Sequence, residues 1–172
     1  MADYVLERRL WLPRPRPEVF AFFADVRNLE RVNPPRVRLR WLSPPPETLS
    51  AGAVINFSIR MAGLPVRWRV FIREFDPPYR FVDVEIWGPF ARWEHRHRFG
   101  EGPASEGVAG PMGTWVEDRV TYRLPLGRLG DVAHALGVKR QIAGLFAYRE
   151  RRLVELLGAS APTGEGAASG AR

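Results

Sequence analysis

Between residues 36 and 124 the chain keeps a two-residue rhythm, and this limits the folds open to it more than any other feature. Val37, Leu39 and Trp41 alternate with Arg36, Arg38 and Arg40. Val66, Trp68, Val70 and Ile72 alternate with Arg67, Arg69 and Arg73, and Val116, Val120, Tyr122 and Leu124 with Glu117, Arg119 and Arg123. Successive side chains on a strand point to opposite faces, so each run gives one face to a core and one to water. Segments of this kind span about 36–42, 53–61, 66–76, 80–87, 91–99 and 115–124, separated by Pro and Gly turns. The series predicts an antiparallel sheet with one wet face.

Different periods flank these segments. Residues 3–12 read as a strand, and LPRPRPEVFAFFADV as a turn into a short helix with Pro17 at its first position and Val19, Phe20 and Phe23 on one side. A second short helix over about Arg27 to Val32 is stopped by Pro34-Pro35. After Pro125 the period becomes about 3.6, with Val132, Leu136, Ile142, Phe146, Leu153 and Leu157 on one side of a long helix and a kink expected near Gly137. The order predicts an α+β fold: a curved antiparallel sheet of about seven strands around a long C-terminal helix, with two short helices after strand 1. A helix about 10–12 Å across cannot fill the concave face of such a sheet, so a cavity is expected beneath it.

Composition narrows the setting. The chain has no cysteine, which removes disulfides and thiolate metal sites. No run approaches the roughly 18 apolar residues of a membrane span, and the first residues carry charges. A cytoplasmic protein is expected, with one ligand-binding domain over 1–158 and a disordered tail over 159–172. Net charge is +7, carried by 25 arginines and the single lysine, Lys139. That balance permits transient contact with anionic membrane. Nucleic acid is disfavoured, because most aromatics, Phe71 and Phe75 excepted, fall on the parity opposite the arginines. Monomer and homodimer both remain open.

The chemistry concentrates in GPFARWEHRHRF, residues 88–99. Trp93, His95, His97 and Phe99 share the inward parity, and Arg92, Glu94, Arg96 and Arg98 the outward one. Two histidines two apart on a strand can reach one metal ion, but a metal site needs a third ligand. The best inward carboxylate is Asp118. Asp83 and Glu85 alternate with Val82, Val84 and Ile86, and are assigned outward as cross-strand partners of Arg92 and Arg96. His134 is left either solvated or packed. Neither a metal nor a cofactor is therefore expected, and His95, His97 and Asp118 are candidates for a ligand's polar anchor, for acid/base catalysis, or for satisfied core polar groups.

The expected wall of the pocket is aromatic: Trp41, Trp68 and Trp93 with Phe57, Phe99 and Tyr122. Val70, Val84, Ile86 and Val120 extend it along the sheet. Phe20 and Phe23 approach from the first helix, and Leu136, Ile142 and Phe146 from the last. The expected partner is a hydrophobic small molecule with one hydrogen-bonding or anionic group.

Three stretches carry a family likeness: LPRPRPEVFAFFADVRNLERVNPP, RFVDVEIWGPFARWEHRHRF, and GTWVEDRVTYRLPLGRLG with the later LFAYRERRL. Over residues 3–157 the chain resembles the START-like helix-grip superfamily, also labelled SRPBCC, which includes birch-pollen-allergen-like proteins, lipid-transfer START domains and polyketide cyclases. The resemblance implies a helix-grip fold around a ligand cavity, and a function among binding or transport of a lipid, isoprenoid or polyketide-like molecule and cyclase, dehydratase or hydrolase chemistry. No established catalytic set maps onto this sequence residue by residue.

Overall fold

A computed structural model describes residues 2–61, 63–105 and 110–158. The tail 159–172, expected to be disordered, lies outside the described residues. Strand β1 (Tyr4–Leu12) is followed by helices α1 (Arg16–Ala24) and α2 (Asn28–Val32), a 3-10 turn (Pro35–Val37) and the short strand β2 (Arg40–Trp41). Four hairpin-linked strands and a fifth then build the sheet: β3 (Val54–Met61), β4 (Leu64–Asp76), β5 (Arg80–Trp87), β6 (Arg92–Pro103) and β7 (Met112–Arg123). The chain closes with α3 (Arg128–Ala133), a π-helical turn (His134–Val138) and α4 (Lys139–Leu157). Sheet order is β1-β7-β6-β5-β4-β3-β2, antiparallel at every pairing. This is the seven-stranded, helix-gripping sheet that the alternation predicts.

The strand faces follow the apolar parity over most of the sheet. Ile55, Phe57 and Ile59 from β3, Trp68, Val70 and Ile72 from β4, Trp93 and Phe99 from β6, and Val116, Val120 and Tyr122 from β7 are all buried in one core. Ile142, Phe146, Leu153 and Leu157 of α4 close over it. Phe20 of α1 packs into the same core against Phe75, Phe81 and Phe99. Close approach of β1 to β7 depends on Gly113: a Cβ there would stand 2.4 Å from the Leu12 carbonyl oxygen and 2.6 Å from the Trp11 ring. Trp11 spans that point and donates its Nε1–H to the Gly102 carbonyl at 3.0 Å.

Several expectations change. The run 36–42 yields only two strand residues, because Pro34-Pro35 enters a 3-10 turn and Arg38 has φ 45°. A register shift between Ile72 and Glu74 turns Phe75 inward against Phe20 and Phe81, which removes one of the two outward aromatics. The helical stripe breaks at the π-helical turn: Val132 and Leu136 are exposed, and His134 is buried in their stead. The extra residue in that turn rotates the helix, so the phase set by Ile142 and Phe146 does not extend back to Leu136.

The largest correction concerns β5. Asp83 and Glu85 share the inward face with Phe81, while Val82, Val84 and Ile86 face the other way. Phe81 pairs with His97 and Asp83 with His95, which fixes the parity. The expected register across the Gly88-Pro89 turn is off by one residue, and one residue exchanges every side chain between faces. Val82 is nonetheless fully buried, on the outer face between Glu74 and Arg96. Ile86 is half exposed.

Candidate functional site

Between α1–α2, α4 and the concave sheet lies a cavity of about 170 Å³. Phe22, Phe23, Leu29 and Val32 line it from the two short helices, Val26 from the turn between them, and Leu145, Arg149 and Leu153 from α4. The sheet contributes Ile55, Phe57 and Ile59, then Trp68, Val70 and Ile72, then Phe81 and Trp93. Polar groups cluster on the sheet side of this apolar wall, Asp83, His95, His97 and Asp118 from three adjacent strands, facing Arg149 and Asn33, while Asp25 and Asn28 add polar lining from the helical side.

The register of β5, β6 and β7 brings these groups together, because His97 pairs with Asp118 on one side and His95 with Asp83 on the other. His97 Nδ1 lies 2.6 Å from Asp118 Oδ1, and His95 Nε2 lies 3.5 Å from the same oxygen. The opposite nitrogens face Asp83 Oδ2, His95 Nδ1 at 3.5 Å and His97 Nε2 at 3.7 Å. The rings are 3.9 Å apart. The 2.6 Å approach lacks hydrogen-bond alignment, and His97 Nδ1, His95 Nε2 and Asp118 Oδ1 are all buried without a hydrogen-bond partner. We therefore treat it as an ion contact. The indole Nε1 of Trp68, another lining residue, is also buried and unpaired.

Charge in the cluster divides unevenly. Burial disfavours the charged form of both histidines. On His97, Asp118 and Asp83 outweigh burial and raise the pKa to about 9. On His95, burial prevails with help from neighbouring His97, and the pKa falls. Burial would raise Asp118, but His97 and His95 hold its carboxyl well below the usual range. Arg149 donates from Nε and Nη2 to Asn33 Oδ1 at 3.0 and 2.9 Å, tying α4 to the end of α2. Glu85, farther along β5, is pushed up to about 7 by burial, against the lowering effect of the Phe90 N–H that it accepts at 3.0 Å.

Residues 12–147 match the model of a family described as polyketide cyclase / dehydrase and lipid transport. The chain belongs to that family. The chain's fold recurs in solved structures of low identity: a Thermus thermophilus protein (22% identical, TM-score 0.58, covering 90% of this chain and 99% of that one) is one case. A START superfamily protein of Mycobacterium smegmatis is 12% identical, with TM-score 0.62 over 88% of this chain and 98% of its own. The major latex-like protein 151 of Panax ginseng is 9% identical, with TM-score 0.62 over 90% and 97%. No curated protein matches the sequence. These structures share the helix-grip fold of this family member.

Within this family member, the expected site residues fall into three groups. Phe23, Phe57, Trp68, Val70, Trp93, His95, His97 and Asp118 line the cavity. Phe20, Phe99, Val120, Tyr122, Ile142 and Phe146 are buried in the surrounding core without lining it, and Trp41 packs partly buried against Phe57. Val84, Ile86 and Leu136 do not reach it, the first two through the β5 register and the third through the π-helical turn. Sequence reasoning missed Asp83, which supplies the carboxylate opposite Asp118, and Arg149. The signal for Arg149 was its place four residues from both Leu145 and Leu153 on one helix face. Among the described residues no helix is long and apolar enough to cross a membrane.

Proposed function

We propose that this protein binds and carries a small hydrophobic molecule of lipid, isoprenoid or polyketide-like type in the cavity beneath α4. The supporting observation is the cavity's division into a broad apolar wall and a polar end where buried donors and acceptors lack partners. Buried polar atoms without partners cost about 1–3 kcal/mol each, and a ligand that pairs with them recovers that cost. A site of about 170 Å³ is close to the roughly 150 Å³ known to hold a benzene ring, so the buried part of the ligand is about one ring in size. The guanidinium of Arg149 favours an acidic or hydrogen-bond-accepting head.

The test pairs native mass spectrometry and organic extraction of the purified protein with titration by an alkylbenzoic acid and the matching alkylbenzyl alcohol, read by the emission of Trp68 and Trp93. Both probes are expected to bind, the acid more tightly. Arg149→Gln is expected to weaken the acid about tenfold or more and the alcohol little, as loss of a charge-assisted bond requires. A protein that yields no ligand and takes neither probe would refute the carrier reading.

One observation favours a second reading as a cyclase- or dehydratase-type enzyme: His97 lines the cavity with a carboxylate charge, Asp118, 2.6 Å away, which places a titratable group where a bound substrate would lie. Under that reading the wild-type protein turns over a polyketone and His97→Gln abolishes it, whereas under the first neither protein shows turnover. The arginine-rich outer face supports membrane contact less well, because Arg73, Arg92, Arg119 and Arg123 on it already pair with Glu94, Asp3 and Glu7.

A further inference from the structure

His95 and His97 each stand between two carboxylates, presenting one nitrogen to Asp83 and the other to Asp118. On the Asp83 side the separations of 3.5 and 3.7 Å exceed hydrogen-bond length. One donor atom from each of Asp83, His95 and His97 falls within 4.8 Å of the other two. Ligand atoms about 2.0–2.2 Å from a tetrahedral ion stand roughly 3.3–3.6 Å apart, whereas adjacent ligands of an octahedral ion at the same bond length stand roughly 3.0 Å apart. The two carboxylate-to-imidazole separations, 3.5 and 3.7 Å, stand nearer the tetrahedral value.

We propose that Asp83, His95 and His97 bind one zinc-class divalent cation, with Asp118 as the outer carboxylate facing the far nitrogen of both rings. An ion on the Asp83 side takes lone pairs from His95 Nδ1 and His97 Nε2. The ring protons then reside on His95 Nε2 and His97 Nδ1, the two nitrogens that face Asp118. Histidine ligands of metals are commonly held by such an outer carboxylate. Arg149 does not occupy the ligand carboxylate, since its Nε and Nη2 donate to Asn33. Asp83, Asp118 and Arg149 sum to one negative charge, so a dication leaves one positive charge and a fourth position suited to water or an anionic head. The ion requires no cargo, and the inference stands or falls separately from the carrier reading.

The test uses tag-free protein dialysed against a chelator and titrated first with Co²⁺, then Zn²⁺. One Co²⁺ per chain is expected to give the strong visible bands of a tetrahedral site, and Zn²⁺ to displace it; loss of fold on chelation that Zn²⁺ restores also supports the site. Asp118→Asn is expected to lower Zn²⁺ affinity about 10–100-fold, and Asp83→Asn to lower it further. Because the chain has no cysteine, His95→Cys is expected to add a thiolate-to-Co²⁺ band assignable to that position, which decides the matter even where Asp83→Asn fails to fold. Wild-type protein without the visible bands, Zn²⁺ affinity unchanged in Asp83→Asn, or a His95→Cys protein without the thiolate band would each overturn the proposal.

Discussion

His134 joins the edge of the sheet to the last helix through one buried ring. It stacks on Tyr4 with centroids 3.4 Å apart, and its Nε2 is 2.9 Å from the Tyr122 hydroxyl oxygen. A neutral ring with its proton on Nδ1 lets Nε2 accept from Tyr122 O–H, and burial, aided by Lys139, lowers the pKa below 6.5 against the opposing Asp131. The unfolded chain therefore takes up this proton more readily. The contribution of His134 to stability is complete above about pH 6.5 and is lost as pH falls toward the lowered folded value. His134→Phe keeps a flat ring but cannot titrate. Denaturant melts at several pH values are expected to show a loss of about 1–3 kcal/mol at neutral pH, from the unpaired Tyr122 hydroxyl, together with a shallower decline between about pH 7 and 5. An unchanged decline would assign the acid sensitivity to other groups.

At the scale of elements, the join of β1 to β7 rests on a glycine that has no room for a side chain. Gly113→Ala puts a methyl group against the Leu12 carbonyl and the Trp11 ring, and is expected to cost about 1–3 kcal/mol in thermal or urea unfolding, with the Trp11 emission altered. An unaltered melting curve would mean that β1 shifts freely. The elements themselves were largely legible: wherever apolar and arginine residues alternated cleanly, as in Val66–Ile72 and Val116–Tyr122, the face followed. It failed where two readings competed. On β5, Val82, Val84 and Ile86 offered a better apolar set than Phe81, Asp83 and Glu85, and only pairing with β6 reveals that the carboxylates belong inside. Periodicity cannot report that a histidine across the ladder will receive a buried acid. Nor can it foresee a π-helical turn, which replaced Leu136 with His134 at the core. The site suffered most: His95, His97 and Asp118 were found by parity, while Asp83 was assigned to water by the same rule.

Taken whole, the molecule separates its charges by face. The convex side carries exposed ion pairs, with Asp3 bridging Arg92 and Arg123 at 2.7 Å each, whereas the concave side keeps a small balanced set of charges under α4. Exposed pairs are individually weak and screened by salt, so the fold depends chiefly on the core. The clasp between Arg149 and Asn33, which joins segments 116 positions apart, lies across the same cavity. On the carrier reading, a cargo with an acidic head would compete with Asn33 for that guanidinium. Asn33→Ala is therefore expected to quicken uptake of the alkylbenzoic acid in stopped-flow traces and to leave its release unchanged, and equal uptake by the two proteins would exclude such competition. On that reading Asn33 tempers affinity for acids and leaves alcohols untouched, so the preference between head groups is tuned from a residue outside the sheet.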